Sequence, residues 1–179
     1  MQSDHKLDVK ERILQVAGAL FHKQGYNETG INQIIKQAKV AKASLYYHFA
    51  TKDELCIAYL QQRHELWKES FTEFLKNKKD KVVSSFDFLM IDNEENDYRG
   101  CSFLNMLSET TPTKSDIFWQ LQRHKEELLS FFSTELIDEE LAYTVYSLFE
   151  NAIVESQLFR NQQPVLRLQK IAASLMNKS

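Results

Sequence analysis

Apolar residues recur along this chain at spacings of three and four nearly throughout, the period of amphipathic helices. Within residues 8–24, Ile13, Ala17, Leu20 and Phe21 fall at i, i+4, i+7 and i+8 and make one stripe. Gly25 follows where a helix ends in a left-handed residue. Thr29 is placed to cap a short second helix holding Ile31, Ile34 and Ile35 and ending near Ala38. After a tight turn, Lys42 to Phe49 forms a third, with Leu45 and Phe49 facing inward. Thr51-Lys52-Asp53-Glu54 has the pattern of a capping box. It opens a long helix through Leu55, Tyr59, Leu66, Phe71 and Phe74 to about Asn77. Further helices are predicted near 80–93, 101–110, 113–135, 138–161 and 164–177, with the polar stretch Asn93 to Gly100 as a loop. Pro112 and Pro164 suit first-turn positions. The fold class is all-α, with a second and third helix spaced as a helix-turn-helix. Residues 1–52 make an N-terminal three-helix unit, and 53–179 a larger helical domain.

Composition narrows this further. Four Gly and two Pro are about 3% of the 179 residues, against roughly 12% in average usage. Sandwiches, barrels and doubly wound sheets need many more such turn residues. The four glycines cannot be written into a phosphate-cradling loop. Two cysteines, Cys56 and Cys101, supply neither a disulfide framework nor a four-thiolate metal site, and fit a reducing cytoplasm. The first twelve residues lack the apolar core of a signal peptide, and no apolar window reaches membrane-spanning length. Net charge is −3, which for the whole chain argues against a nucleic-acid partner. The charge is uneven, however. Residues 1–55 carry eight basic against six acidic side chains, the remainder fourteen against nineteen. Between Thr29 and Lys52 stand four lysines and no acid, a local patch able to meet phosphates.

The segment Lys42-Ala43-Ser44-Leu45-Tyr46-Tyr47-His48-Phe49 carries the candidate chemistry. With Leu45 and Phe49 turned to the core, Lys42, Ala43, Tyr46, Tyr47 and His48 lie on the remaining sides. Tyrosine hydroxyls and a histidine can donate to phosphate oxygens, and a small residue at the helix start lets backbone approach base edges. Lys52, in the first turn of the next helix, is placed to add a phosphate contact aided by the helix dipole.

The run Arg12-Ile13-Leu14, Ala17, Leu20-Phe21, Gly25-Tyr26, Thr29, Ile31, Ile34, Ala38, Val40, Ser44 to Phe49, Lys52 and Leu55 resembles the DNA-binding region of the TetR family of transcriptional regulators. The resemblance spans about residues 9–56. It implies an all-α homodimer whose N-terminal domain binds a palindromic operator on double-stranded DNA, and whose larger domain dimerises and usually holds a small molecule. It also implies that Thr29 caps the second helix and touches phosphate, that Lys42 and Ala43 lie closest to bases, and that Tyr46, Tyr47, His48 and Lys52 hold the backbone. Two positions depart from the family pattern. Where it has Gly-Val-Ser, this chain has Lys39-Val40-Ala41. A left-handed Lys costs about 1 kcal/mol against Gly, and an Ala cap forfeits a similar amount against Ser. Either Lys39 offsets its strain with an extra phosphate contact, or the turn is simply strained.

Tyr98 to Asn105 resembles the Arg-Gly-Cys…Asn stretch that opens the sixth helix in one subgroup of the family, with Leu104 where that subgroup often has Gly. The candidate ligand-binding residues are His64, Trp67, Phe71, Phe86, Cys101, Asn105 and Trp119. Each also has a plain structural reading: aromatics as core, Cys101 as a small buried residue, Asn105 as a loop cap or interhelical bond. Leu141, Val145, Leu148, Phe149, Ala152 and Phe159 line one face of the eighth helix, and Leu168, Ile171, Leu175 and Met176 one face of the ninth. The resemblance makes these the dimer interface, although a seam within one chain would have the same pattern.

Enzyme and metal readings find little support. His64-Glu65 begins a zinc-protease motif, but position 68 is Lys. The other histidines lack ligand spacing, and no motif completes a nucleophile with Cys101 and His64. The expectation is a cytoplasmic dimeric repressor with no cofactor and no metal, released from DNA by an unknown small-molecule effector. The alternative is a DNA-binding regulator that senses nothing.

Overall fold

The computed structural model describes residues 8–177; residues 1–7, part of the stretch read for a signal peptide, lie outside it. Among the described residues there are nine helices and no strand. They are α1 (Val9–Gln24), α2 (Ile31–Ala38), α3 (Lys42–His48), α4 (Lys52–Leu75), α5 (Lys81–Glu95), α6 (Ser102–Glu109), α7 (Ser115–Glu135), α8 (Glu139–Phe159) and α9 (Gln163–Met176). None is long and apolar enough to cross a membrane.

The helix ends follow local chemistry. Asp8 caps α1 in a complete capping box, its carboxylate accepting from Glu11 N at 2.7 Å while Glu11 accepts from Asp8 N at 3.1 Å. Thr51 Oγ1 accepts from Glu54 N at 3.0 Å, but Glu54 reaches back to Ala50 N at 2.8 Å, one residue beyond the predicted box. The predicted loop at Asn93 is instead the last turn of α5. Asn93 is polar but buried, donating to Ser156 Oγ at 3.0 Å, so its polarity serves helix packing and not a turn.

Two apolar clusters hold the molecule. One joins Ile13, Phe21, Ile34, Leu45 and Phe49 of the first helices and their turns to Leu55, Tyr59 and Leu60 of α4, Phe103 and Met106 of α6, and Ile117 and Leu121 of α7. It runs straight across the boundary drawn at residue 52. The other packs α5, α7, α8 and α9 around Phe86, Phe132, Val145 and Phe149. Gly18 lets α1 approach α4 closely: a Cβ there would lie 2.9 Å from Tyr59 Cδ2.

Candidate functional site

The turn between α2 and α3 is made by Lys39, whose backbone sits at φ 53°, ψ 49°, in the left-handed region. Ala41 stands at the α3 N-cap and provides no side-chain cap, as its methyl dictates. Leu45 and Phe49 anchor α3 in the core. Its outer face then presents Lys42, Ala43, Tyr46 and Tyr47, with Ser44 and His48 half-buried at the edges. Tyr47 is 85% exposed, with its ring edge-on to His48 at 5.1 Å. Lys42 Nζ lies 5.9 Å from the centre of the Tyr46 ring. Lys36, Lys39 and Lys42 are exposed and have no ion pair among the described residues, so their charge is open to an external anion.

Two sequence-predicted contact residues have other work. Thr29 is fully buried and its hydroxyl donates to Gly25 O at 2.6 Å; Gly30, not Thr29, occupies the N-cap of α2. Its hydroxyl is therefore out of reach of a phosphate. Lys52 Nζ donates to Tyr26 O at 2.8 Å and Thr29 O at 3.0 Å and lies 4.1 Å from the Tyr26 ring centre. Two of its three donors thus brace the α1–α2 turn. The Tyr26 hydroxyl in turn donates to Asp53, whose carboxylate takes both oxygens to Lys114 Nζ at 2.7 Å. Burial, with that bond to Asp53, pushes the Tyr26 hydroxyl up to about 12.

A cavity of about 50 Å³ lies between α4, α5, α7 and α8, closed by the first turn of α6. Of the candidate ligand residues, Trp67 and Cys101 line it. The others lie elsewhere. Trp119 is 55% exposed on the outside of α7. Phe86 is core, 5.2 Å from Phe149, and Phe71 packs among Trp67, Phe88 and Phe131. Asn105 ties the loop to α8, donating to Arg99 O and accepting from Gln157. His64 sits behind the wall, its Nδ1 3.1 Å from His124 Nδ1. Its Nε2 lies 3.1 Å from Glu127 but outside hydrogen-bond alignment. His124 does line the cavity, stacked on Phe103 at 3.7 Å, and burial, with the nearby Lys125 charge, holds its pKa down to about 2. Arg63, Phe88, Asp92 and Asn93 also line it, and sequence reasoning missed them. Arg63 and Trp67 are i, i+4 on α4, as are Phe88 and Asp92 on α5; that shared facing was the available signal.

The first turn of α6 is cavity wall, and its far end holds the helix-turn-helix. Glu109 accepts from Asn27 N at 2.8 Å, and Asn27 Nδ2 donates to Glu109 O at 3.1 Å. Just before α6, Arg99 Nε donates to His22 O at 2.9 Å, at the end of α1.

The predicted dimer residues divide in two. Val145, Phe149, Ala152 and Leu168 are buried in this chain's own core, where α8 meets α5, α7 and α9. They make the intrachain seam. Leu141, Leu148 and Leu175 are half-buried, while Phe159 and Ile171 are exposed. The open apolar positions of α8 run instead through Tyr143, Val154 and Leu158.

An exposed basic and aromatic helix-turn-helix face thus stands on an all-helical body. Residues 13–59 match the family described as bacterial regulatory proteins, tetR family. The HTH-type transcriptional regulator LmrA of Bacillus subtilis (strain 168) is 26% identical, over 96% of this chain and 98% of that one. The HTH-type transcriptional regulator QacR of Staphylococcus aureus is 40% identical over 36% of this chain and 35% of its own. The crystal structure of a TetR transcriptional regulator from Legionella pneumophila superposes with a TM-score of 0.79 at 24% identity, covering 96% of this chain and 98% of that one. In its helix-turn-helix region and in its overall fold the chain is similar to TetR-family transcriptional regulators.

Proposed function

We propose that this protein is a cytoplasmic homodimeric repressor that grips a palindromic operator with α3 and lets go when a small molecule fills the cavity. The observation that carries the DNA half is the outer face of α3, where Lys42, Tyr46 and Tyr47 are exposed beside His48 and carry no ion pair. Lys42 and Ala43 at the helix start come nearest the bases, and Lys39 and the tyrosines hold phosphates. Two such helices on one DNA face require a dimer with a fixed spacing. Tyr143, Val154 and Leu158 of α8 with Ile171 of α9 supply an apolar face for it.

The geometry of α6 supports coupling between the cavity and the DNA-binding helices. Its N-terminal turn is cavity wall and its C-terminal Glu109 holds the α1–α2 turn. A ligand that binds the form with displaced α6 more tightly shifts the population toward wrongly spaced recognition helices, by no more than its differential affinity. The test is a gel shift on DNA from upstream of its own gene, repeated with Glu109→Ala. The expected result is wild-type binding that a ligand reverses, and a variant that still binds ligand but whose operator affinity no longer responds. A variant released by ligand as readily as wild type would contradict this route.

A further inference from the structure

We propose that the effector is an aromatic carboxylic acid whose carboxylate binds Arg63 and whose ring lies against Trp67 and Phe88, which line both groove and cavity; this rests on reading the cavity as the regulatory site. The cavity of about 50 Å³ has room for only a few waters. A benzene-sized guest needs on the order of 150 Å³. A second hollow of about 340 Å³ lies outside it between α4 and α5. The two share Arg63, Trp67, Phe88 and Asp92, which are therefore a partition between a small inner chamber and an open groove. A ligand large enough to signal must occupy this partition, and its occupation reaches the inner wall formed by Gly100 to Phe103 ahead of and within α6.

Charge selects the class. Arg63 has no ion pair among the described residues, and its Nε is buried with no hydrogen-bond partner. A guanidinium donor left in that state is costly, and a carboxylate is the group whose two oxygens match its fork. Asp92 does not fill the role: it makes no ion pair, and its Oδ1 accepts from Asn96 Nδ2 at 2.8 Å. Burial pushes the Asp92 carboxyl up from its usual range against the pull of the Arg63 charge, so the two groups are neighbours without being an ion pair among the described residues. Glu95 stands exposed at the groove's rim, where solvent and salt screen it. Trp67 and Phe88 at the partition, with Phe103 and Phe149 behind them, offer rings a flat apolar surface.

Calorimetric titration of the full-length protein with 1-naphthoate, 1-naphthamide and 1-naphthylmethylammonium tests this. The expected order is naphthoate tightest by at least tenfold and the ammonium weakest. Arg63→Met should bring naphthoate down to the level of naphthamide, and Asp92→Asn should tighten naphthoate. Tightest binding by the ammonium, abolished in Asp92→Asn, would overturn the carboxylate class while leaving the cavity as the regulatory site. So would naphthoate binding that Arg63→Met leaves unchanged. No binding of any of the three would overturn both.

Discussion

Lys39 holds a left-handed backbone, φ 53° and ψ 49°, where the family pattern has a glycine free to adopt it. The strain is about 1 kcal/mol, and the side chain projects into solvent beside α3 with no ion pair. Lys39→Gly is therefore expected to stabilise the fold by about 1 kcal/mol in chemical denaturation. Its operator affinity should fall at low salt, with a flatter log–log salt dependence, because each lysine removed from a phosphate takes one counterion with it. A clear rise in affinity would sink the phosphate contact. Gly18 makes the opposite case. Helix propensity alone would make Gly18→Ala favourable by roughly 0.8–1 kcal/mol. The added Cβ would meet the Tyr59 ring at 2.9 Å, and that ring is buried with its hydroxyl bonded to Ser102. Overpacking of this kind costs about 1–3 kcal/mol, so the variant is expected to melt lower than wild type. The glycine at position 18 was visible in the sequence; its reason was not, because it lies 41 positions away on α4.

Among the elements, the seam of α4 with α7 contains a buried histidine pair. His124 is neutral in the fold, its pKa held at about 2 by burial first and by neighbouring positive charge second. The unfolded chain takes up its proton near 6.5, so folding is disfavoured as pH falls below that value. Between pH 7 and pH 5 the loss is about 2 kcal/mol, and His124→Phe, which keeps a ring against Phe103, should lose most of that slope in thermal melts. An unchanged slope would place the pH dependence elsewhere. The helices themselves were legible from apolar spacing, and their ends from signals such as the Thr51 cap and the first-turn Pro164. The α5 end was not, because Asn93 signals solvent in one dimension and is buried in three. The exposed face of α3 was legible for a related reason: open Tyr46 and Tyr47 follow directly once Leu45 and Phe49 are assigned inward. Cavity residues depend on which faces of α4, α5 and α7 meet, and neither Arg63 nor His124 announces that meeting by its type. The same holds for Thr29 and Lys52, whose partners Gly25 and Tyr26 come from the α1–α2 turn.

For the whole molecule, an acidic chain of net charge −3 carries a basic, tyrosine-rich end, and a long α6 contact joins that end to an internal cavity. With Val145, Phe149, Ala152 and Leu168 buried in the chain's own core, the proposed dimer face falls on the other side of α8. Leu158→Glu is expected to yield a monomer by size-exclusion chromatography with helicity retained and operator binding lost; a dimer surviving it would remove this face from the interface. A footprint and gel shift on the DNA upstream of the gene should be run with wild type, Tyr47→Ala and His48→Ala, each checked as a folded dimer. Every lost hydrogen bond to a charged phosphate is worth about 1.5–3 kcal/mol and counts twice in a dimer. Wild type should protect a two-fold symmetric site, and both variants should bind it at least about a hundredfold more weakly. Variants that bind as tightly as wild type would contradict the assignment of α3 as the DNA-reading helix.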